Sequence, residues 1–101
     1  MATFVIETYL SRARASEVEA ETARIRAAIA GLTIDPAAPE QPVRWLLTYF
    51  VPDDEMCLHV IEAASAAVAM RVSALASLTP ERVVEADATV NEIAVAHPNR
   101  G

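Results

Sequence analysis

Hydrophobic and polar positions alternate along residues 3–10 and again along residues 82–90, and this period of two is typical of β-strands. Two further stretches, 43–51 and 56–63, are apolar runs of strand length. The acidic sequence between them, 52–55, begins with proline and has the composition of a tight turn, so these two stretches form a hairpin. The pattern therefore predicts four strands.

Two other stretches carry apolar residues at helical spacing. We expect the first helix to begin at Ser16, where Glu19 completes a capping box, and to end at Gly31. The second helix begins at Ser65 and runs to about residue 76, with Arg71 as its only charge. A helix that is apolar nearly all round tends to be buried on more than one side, although alanine is also simply a good helix former. The expected core-facing residues are Val18, Thr22, Ile25 and Ile29 in the first helix, and Val68, Val72 and Leu75 in the second.

The elements follow one another in the order β-α-β-β-α-β. With right-handed crossovers, this order predicts an α+β, ferredoxin-like sandwich whose antiparallel sheet has the strand order 4-1-3-2 and both helices on one face. A chain of 101 residues is large enough for one ordinary core. We expect a single domain over residues 1–90, followed by a C-terminal extension or tail over 91–101.

Successive side chains of a strand point to opposite faces of the sheet, so each residue of the predicted sheet lies either on the face under the helices or on the open face. Phe4 and Ile6 of the first strand and Val84 and Ala86 of the fourth are expected under the helices. The second strand is apolar on both faces, and soluble proteins rarely leave a large apolar patch in water. We therefore expect a homodimer, in which a second copy packs sheet to sheet about a two-fold axis. The residues expected on or beside the open face are Glu7, Tyr9, Trp45, Tyr49 and Glu85.

These five open-face residues are the candidate ligand-binding set. Glu7 and Glu85 lie on neighbouring strands, and two carboxylates are costly to bury unless water, a cation, an arginine or a ligand accompanies them. The alternative is that both glutamates sit at the wet rim of the sheet or pair with Arg44 or Arg82.

Cys57 and His59 are the candidate metal ligands. They alternate on the third strand and share a face in any register, and a thiolate with an imidazole suits a soft or borderline transition metal. A third ligand must come from elsewhere, with Glu7 or a partner subunit as candidates. The turn length decides which face they take. If they face the helices, Cys57 becomes a small core residue and His59 a hydrogen-bonded one.

Several functional classes are excluded by composition. A net charge of −6 argues against nucleic-acid binding, and charged residues interrupt every apolar run before the ~18 residues of a membrane span. A single cysteine and the lack of a signal peptide favour the reducing cytoplasm. The chain has neither a nucleophilic triad nor a glycine-rich phosphate loop, so we assign no catalytic residue. The acidic turn lacks the spaced ligands and the glycine of a calcium loop.

The segments FVIETYL, VRWLLTYFVPDDEMCLHVIEA and PERVVEA resemble a small bacterial family of unknown function, over roughly residues 3–88. One branch of that family is described as nickel-binding, ferredoxin-like homodimers, so the resemblance implies this fold, a dimer and nickel as the metal. Cys57 matches the family's cysteine in the third strand, and Glu7 and Glu85 match its strand-borne glutamates. The nickel branch has a histidine where this chain has Leu47, a residue that cannot ligate a metal.

Three functions are compatible with these features. The preferred one is a cytoplasmic, homodimeric binding protein that holds a transition metal such as nickel, or a small molecule, on its open sheet face. The second is a structural or regulatory interaction module without a ligand. The third is a small enzyme of the dimeric α+β barrel type, in which Glu7, Tyr9 or His59 would serve as acid-base groups.

Overall fold

The computed structural model describes residues 1–33 and 42–87. Its four strands form one antiparallel sheet, and their order across it is the predicted order 4-1-3-2, counted here from the opposite edge as 2-3-1-4. The α+β, ferredoxin-like prediction is confirmed. The elements are β1 (Ala2–Tyr9), α1 (Val18–Thr33), β2 (Arg44–Val51), β3 (Met56–Ala63), α2 (Ala66–Leu75) and β4 (Arg82–Ala86).

Both helices cover the same face of the sheet. Phe4 and Ile6 of β1 and Ile61 of β3 belong to one hydrophobic core together with Ile25 of α1 and Val72 of α2. Side chains along β3 alternate strictly between buried and half-buried, because one face of this strand meets the helices while the other does not. None of the helices in the described residues is long and apolar enough to cross a bilayer.

The hairpin of β2 and β3 has the predicted turn. Pro52 opens a short 3₁₀ turn, Pro52–Asp54, and Glu55 closes it in the left-handed conformation with φ of 52°. The Glu55 N–H donates to the carbonyl of Pro52 at 3.1 Å, and the Glu55 carboxylate accepts from the Arg12 N–H at 2.8 Å. Asp53 and Asp54 are exposed, as expected of a solvated acidic turn.

Helix α1 begins and ends later than predicted. A 3₁₀ turn, Arg12–Glu17, precedes it, and Ser11 rather than Ser16 caps that turn by accepting from the Ala13 N–H at 3.2 Å. The helix passes through Gly31 to Thr33. Gly31 needs no left-handed conformation, and it does not end the helix. The buried residues are Glu21, Ile25, Ala28 and Leu32. Ile25 is therefore confirmed as a core residue, and the half-buried Ile29 packs against the core, whereas the predicted Val18 and Thr22 are only half-buried.

The start of α2 is confirmed, whereas one of its predicted core residues is wrong. The Ser65 hydroxyl accepts from the Val68 N–H at 3.3 Å, which is an N-cap bond. Val68 and Val72 are buried, but Leu75 is 53% exposed and Ala76 takes the buried position beside it.

Two strands present their side chains differently from the prediction. A bulge between Trp45 and Leu47 inserts one residue into β2, so Trp45 pairs with Ile61 on the helix side while Leu47 and Tyr49 lie on the open face. An inserted residue moves the side chains that follow it in the strand to the opposite face of the sheet. The placement of Trp45 on the open face was therefore wrong.

The parity predicted for β4 was also wrong. Val83 pairs with Ile6 and Glu85 with Phe4, which puts both on the helix side, while Val84 and Ala86 lie on the open face. Apolar residues at both 83 and 84 make the alternation ambiguous, and only the pairing with β1 resolves it. The rest of the predicted fourth strand from residue 88, the tail 91–101 and most of the predicted loop, 34–41, lie outside the described residues.

Ser77 ends α2 in a conformation that favours glycine. It has φ of 58°, and the N–H groups of Ser77 and Leu78 donate to the carbonyls of Ala74 and Ser73, both at 3.0 Å, in a Schellman motif. We expect Ser77→Gly to raise the free energy of unfolding by about 1 kcal/mol, because glycine avoids the steric cost of the left-handed conformation. Urea denaturation measures this difference.

Ala74→Gly is the matched control, since it places the same residue three positions earlier, at an exposed site inside the helix. There glycine should lower the free energy of unfolding by about 1 kcal/mol. Destabilisation by both substitutions would contradict the proposed cost at Ser77.

Candidate metal centre

Three buried side chains with metal-ligating atoms converge between α1 and β3. They are Glu21, Cys57 and His59, and one ligand atom from each lies within 4.8 Å of the others. Cys57 and His59 are fully buried, and Glu21 is 8% exposed. The described residues thus contain a carboxylate, a thiol and an imidazole at one point inside the core.

Strand pairing places the two ligands of β3 under the helices. Thr8 of β1 pairs with Cys57, while Ile6 and Thr48 flank His59 from either side. The prediction that Cys57 and His59 share a face is confirmed, and that face is the helix side. As expected for this face, Cys57 is a buried core residue and His59 is buried and hydrogen-bonded, and α1 adds the carboxylate of Glu21 to the pair.

Helix α1 supplies Glu21 from its first turn, on the same buried side as Ile25. The positive end of the helix dipole favours a carboxylate at this position. Glu21 Oε1 accepts a hydrogen bond from Thr8 Oγ1 at 2.8 Å and lies 2.9 Å from His59 Nε2. Its burial is therefore compensated by two polar partners.

The second nitrogen of His59 is held by β2. His59 Nδ1 lies 3.0 Å from Thr48 Oγ1, and the Trp45 Nε1–H donates to that same oxygen at 3.0 Å. Because the Thr48 hydroxyl can rotate, it can donate to Nδ1 or accept a proton from it. With Thr48 donating, neutral His59 carries its proton on Nε2 and donates it to Glu21. The Arg26 guanidinium lies 5.0 Å from the centre of the Trp45 ring and stacks on it.

The Cys57 thiol lies 3.6 Å from His59 Nε2. Burial, together with the nearby Glu21 carboxylate, raises the pKa of Cys57 from 9.0 to about 11. Without a cation, Cys57 is therefore a neutral thiol at physiological pH. A bound divalent cation would favour the thiolate form of Cys57 instead, because a metal-bound thiol is deprotonated.

The residues predicted for the open face do not form one group. Glu7 is on that face, where its carboxylate accepts from the Arg82 Nε–H at 2.9 Å, as the rim alternative expected. Tyr9 and Tyr49 are 57% and 56% exposed. Trp45 and Glu85 are on the helix side, so the pairing of Glu7 with Glu85 in one site was wrong. A ligand-binding role for Glu7, Tyr9 and Tyr49 stays a prediction.

The sequence did not identify Glu21, Thr8 or Thr48 as functional residues. Glu21 was expected on the solvated side of the helix, yet it is one turn before Ile25 in the buried stripe Glu21, Ile25, Ala28 and Leu32. Glu21 lies at helical spacing from the apolar residues Ile25, Ala28 and Leu32, and this spacing was the signal in the sequence that could have placed its carboxylate on the buried side. Thr8 continues the alternation of Phe4 and Ile6, but nothing in β1 alone indicates a partner.

The raised pKa of Cys57 predicts how the metal-free protein responds to alkaline pH. The thiol has a higher pKa in the folded state than in the unfolded chain, so the unfolded chain loses this proton first as the pH rises. The contribution of the thiol to the stability of the folded state is therefore fully present below about pH 9 and is lost above it. The free energy of unfolding should then fall by about 2 kcal/mol between pH 9 and 11. Urea denaturation across this range measures it.

Cys57→Ala is the control, since tyrosines that titrate in the same range remain present in it. This variant should lose less stability than the unmodified chain between pH 9 and 11. Parallel stability curves for the two proteins would show that the buried thiol does not contribute.

The chain matches no family model and no curated protein. Its fold is similar to that of the crystal structure of SCO4226 from Streptomyces coelicolor A3(2), with a TM-score of 0.68 and 13% sequence identity. The similarity covers 88% of this chain and 100% of the other. It supports the ferredoxin-like fold, and at this identity it carries no further conclusion.

Proposed function

We propose that this protein binds one divalent transition-metal ion at Glu21, Cys57 and His59. The observation that carries the proposal is the convergence of three different ligating groups at one buried point. The expected third ligand, Glu7 or a partner subunit, is replaced in this proposal by Glu21 of the same chain.

The spacing of the donors suits a metal. In a tetrahedral site with nitrogen and oxygen about 2.0–2.1 Å and sulfur about 2.3 Å from the ion, neighbouring donors are about 3.3–3.6 Å apart. Cys57 Sγ and His59 Nε2 are already 3.6 Å apart. Glu21 Oε1 and His59 Nε2, at 2.9 Å, would need to separate by a few tenths of an ångström. Cys57 Sγ and a Glu21 carboxylate oxygen lie within 4.8 Å of each other.

The surrounding hydrogen bonds also suit a metal. Metal-ligating histidines usually donate their second ring N–H to an oxygen, and ligating carboxylates are usually hydrogen-bonded themselves. Thr48 can accept from Nδ1 of His59 once Nε2 is committed to the ion, and Thr8 already donates to Glu21. Both ligands therefore have the outer partners that a metal site needs.

The donor set narrows the choice of ion. One thiolate, one imidazole and one carboxylate are typical ligands of zinc and neighbouring divalent transition metals, rather than of calcium or magnesium. Nickel, which the family resemblance implies, belongs to this group. Leu47 pairs with Val60 on the open face, whereas the three donors are on the helix side. The absence of a histidine at position 47 therefore leaves this donor set intact.

Metal titration tests the proposal directly. Protein purified without an affinity tag and stripped with a chelator should bind about one Zn²⁺, Co²⁺ or Ni²⁺ per chain. With Co²⁺ we expect a thiolate charge-transfer absorption that disappears in Cys57→Ala. His59→Ala should weaken binding by more than about 100-fold, and Thr48→Val by about 10- to 100-fold through the loss of an outer partner.

Glu62→Gln is the matched control, because Glu62 is a carboxylate of the same strand on the open face, 3.3 Å from Arg44. It should bind metal like the unmodified protein. Clearly sub-stoichiometric binding, or equal affinity in the Cys57 and His59 variants, would refute the metal site. The cluster would then be a structural hydrogen-bond network, which favours the interaction-module alternative.

We also propose that the protein is a homodimer that packs through its open sheet face. Tyr9 and Tyr49 are more than half exposed, and Leu47 is 37% exposed beside them. This apolar surface has no cover within the described residues, and a symmetric second copy is the simplest one.

Tyr49→Glu tests the dimer, because it would place a charge inside the proposed interface. We expect it to shift the molecular mass, measured by sedimentation equilibrium, from about two chains to one. Met70→Glu is the control, since Met70 is 59% exposed on α2, away from the open face. A monomeric unmodified protein, or an unchanged mass in Tyr49→Glu, would exclude this interface.

A further inference from the structure

The hydrogen bond between Trp45 and Thr48 depends on the bulge in β2. The Trp45 Nε1–H donates to Thr48 Oγ1 at 3.0 Å, although the two residues are three positions apart in one strand. In a regular strand, residues an odd number of positions apart point to opposite faces of the sheet. The extra residue between Trp45 and Leu47 brings both side chains to the helix side. Bulges often redirect a side chain in this way beside a functional site.

Thr48 connects Trp45 to the candidate metal centre. Its Oγ1 lies 3.0 Å from His59 Nδ1, and His59 Nε2 lies 2.9 Å from Glu21 Oε1. A tryptophan N–H can only donate, whereas a threonine hydroxyl has one proton and two acceptor positions. Trp45 therefore occupies one acceptor position of Thr48, and the proton and the other acceptor position remain for His59.

The Thr48 hydroxyl suits His59 both with and without an ion on Nε2. An ionised Glu21 can only accept, so in the metal-free protein Nε2 carries the proton of a neutral His59 and Thr48 donates to Nδ1. When Nε2 ligates an ion, that proton is on Nδ1, and Thr48 accepts it. Only the hydroxyl proton of Thr48 has to turn between these states, provided that its oxygen stays in place.

Packing alone does not hold the Thr48 side chain in place. Thr48 is half-buried and lines a cavity of about 350 Å³ together with Trp45, Val18 and Arg26. A threonine that borders a cavity has room to change its χ1 rotamer. The hydrogen bond from Trp45 opposes this rotation. The indole itself is held by Arg26, whose guanidinium lies 5.0 Å from the centre of the ring.

We propose that Trp45 is a positioning residue of the metal centre. Its N–H holds Thr48 in the rotamer that orients the imidazole of His59, with Nε2 toward Glu21 and Cys57. The effect on metal affinity rests on the proposed metal site, whereas the hydrogen bonds from Trp45 through Thr48 to His59 are present in the metal-free protein. Trp45, which was predicted for the open face, thus acts inside the fold.

Trp45→Phe tests this role, because it keeps an aromatic ring for Arg26 and removes only the indole with its N–H. Titration with Co²⁺, followed by absorption, should show an affinity about three- to tenfold lower than in the unmodified protein, as expected for the loss of one hydrogen bond. Unchanged affinity in Trp45→Phe would overturn the proposal.

The matched control is the same substitution in a Thr48→Val background. Because Trp45 acts through the Thr48 hydroxyl, Trp45→Phe should change Co²⁺ affinity there by less than about twofold. A further loss as large as in the unmodified protein would show that Trp45 acts by packing alone, and it would overturn the positioning role. Circular dichroism of each variant shows whether its fold is retained.

The metal-free protein provides a second measurement that does not depend on the ion. Three-bond NMR couplings across the Cα–Cβ bond of Thr48 should report one rotamer in the unmodified protein and averaging between rotamers in Trp45→Phe. Averaging in the unmodified protein, or a single rotamer retained in Trp45→Phe, would overturn the positioning role while leaving the metal site in place. A lack of Co²⁺ binding by the unmodified protein would instead overturn both.

Discussion

The buried contact between Glu21 of α1 and His59 of β3 is the interaction on which the interior depends. It joins the first helix to a strand that pairs on both sides, so it lies where the layers of the sandwich meet. An imidazole and a carboxylate without partners would be costly at this depth. Thr8 and Thr48 complete the contact from the two neighbouring strands, and every polar atom of His59 and one oxygen of Glu21 gain a partner.

This polar cluster explains features that otherwise have no common cause. Thr8 and Thr48 occupy positions where the apolar pattern of β1 and β2 would favour valine. The bulge of β2 brings Trp45 to the same face, where its N–H donates to Thr48. A hydrogen-bond network of this kind can be purely structural, but the Cys57 thiol beside it has no structural need for an imidazole. The thiol is the group that distinguishes the proposed metal site from such a network.

Three separate regions of the molecule differ in their chemistry. Between α1 and β3 lies the candidate metal centre, a buried polar cluster of Glu21, Cys57 and His59. Between α1 and α2 lies an apolar groove with two arginines. The open sheet face carries Tyr9 and Tyr49, with Glu7 paired to Arg82 beside them. The lining of the groove shares no residue with the candidate metal centre, and the open face lies across the sheet from both.

The element order, the sheet topology and the hairpin could be predicted from the sequence, because these depend on periodicity, turn chemistry and the handedness of crossovers. The sequence also placed Cys57 and His59 on one face, since residues two apart on a strand always share one. The sequence could not determine which face that was, nor that Glu21 would meet them, because a contact between residues 38 positions apart depends on packing. Only the tertiary structure settled the side of Trp45 and Glu85, because a one-residue bulge or a choice of register reverses strand parity without changing the pattern of residues.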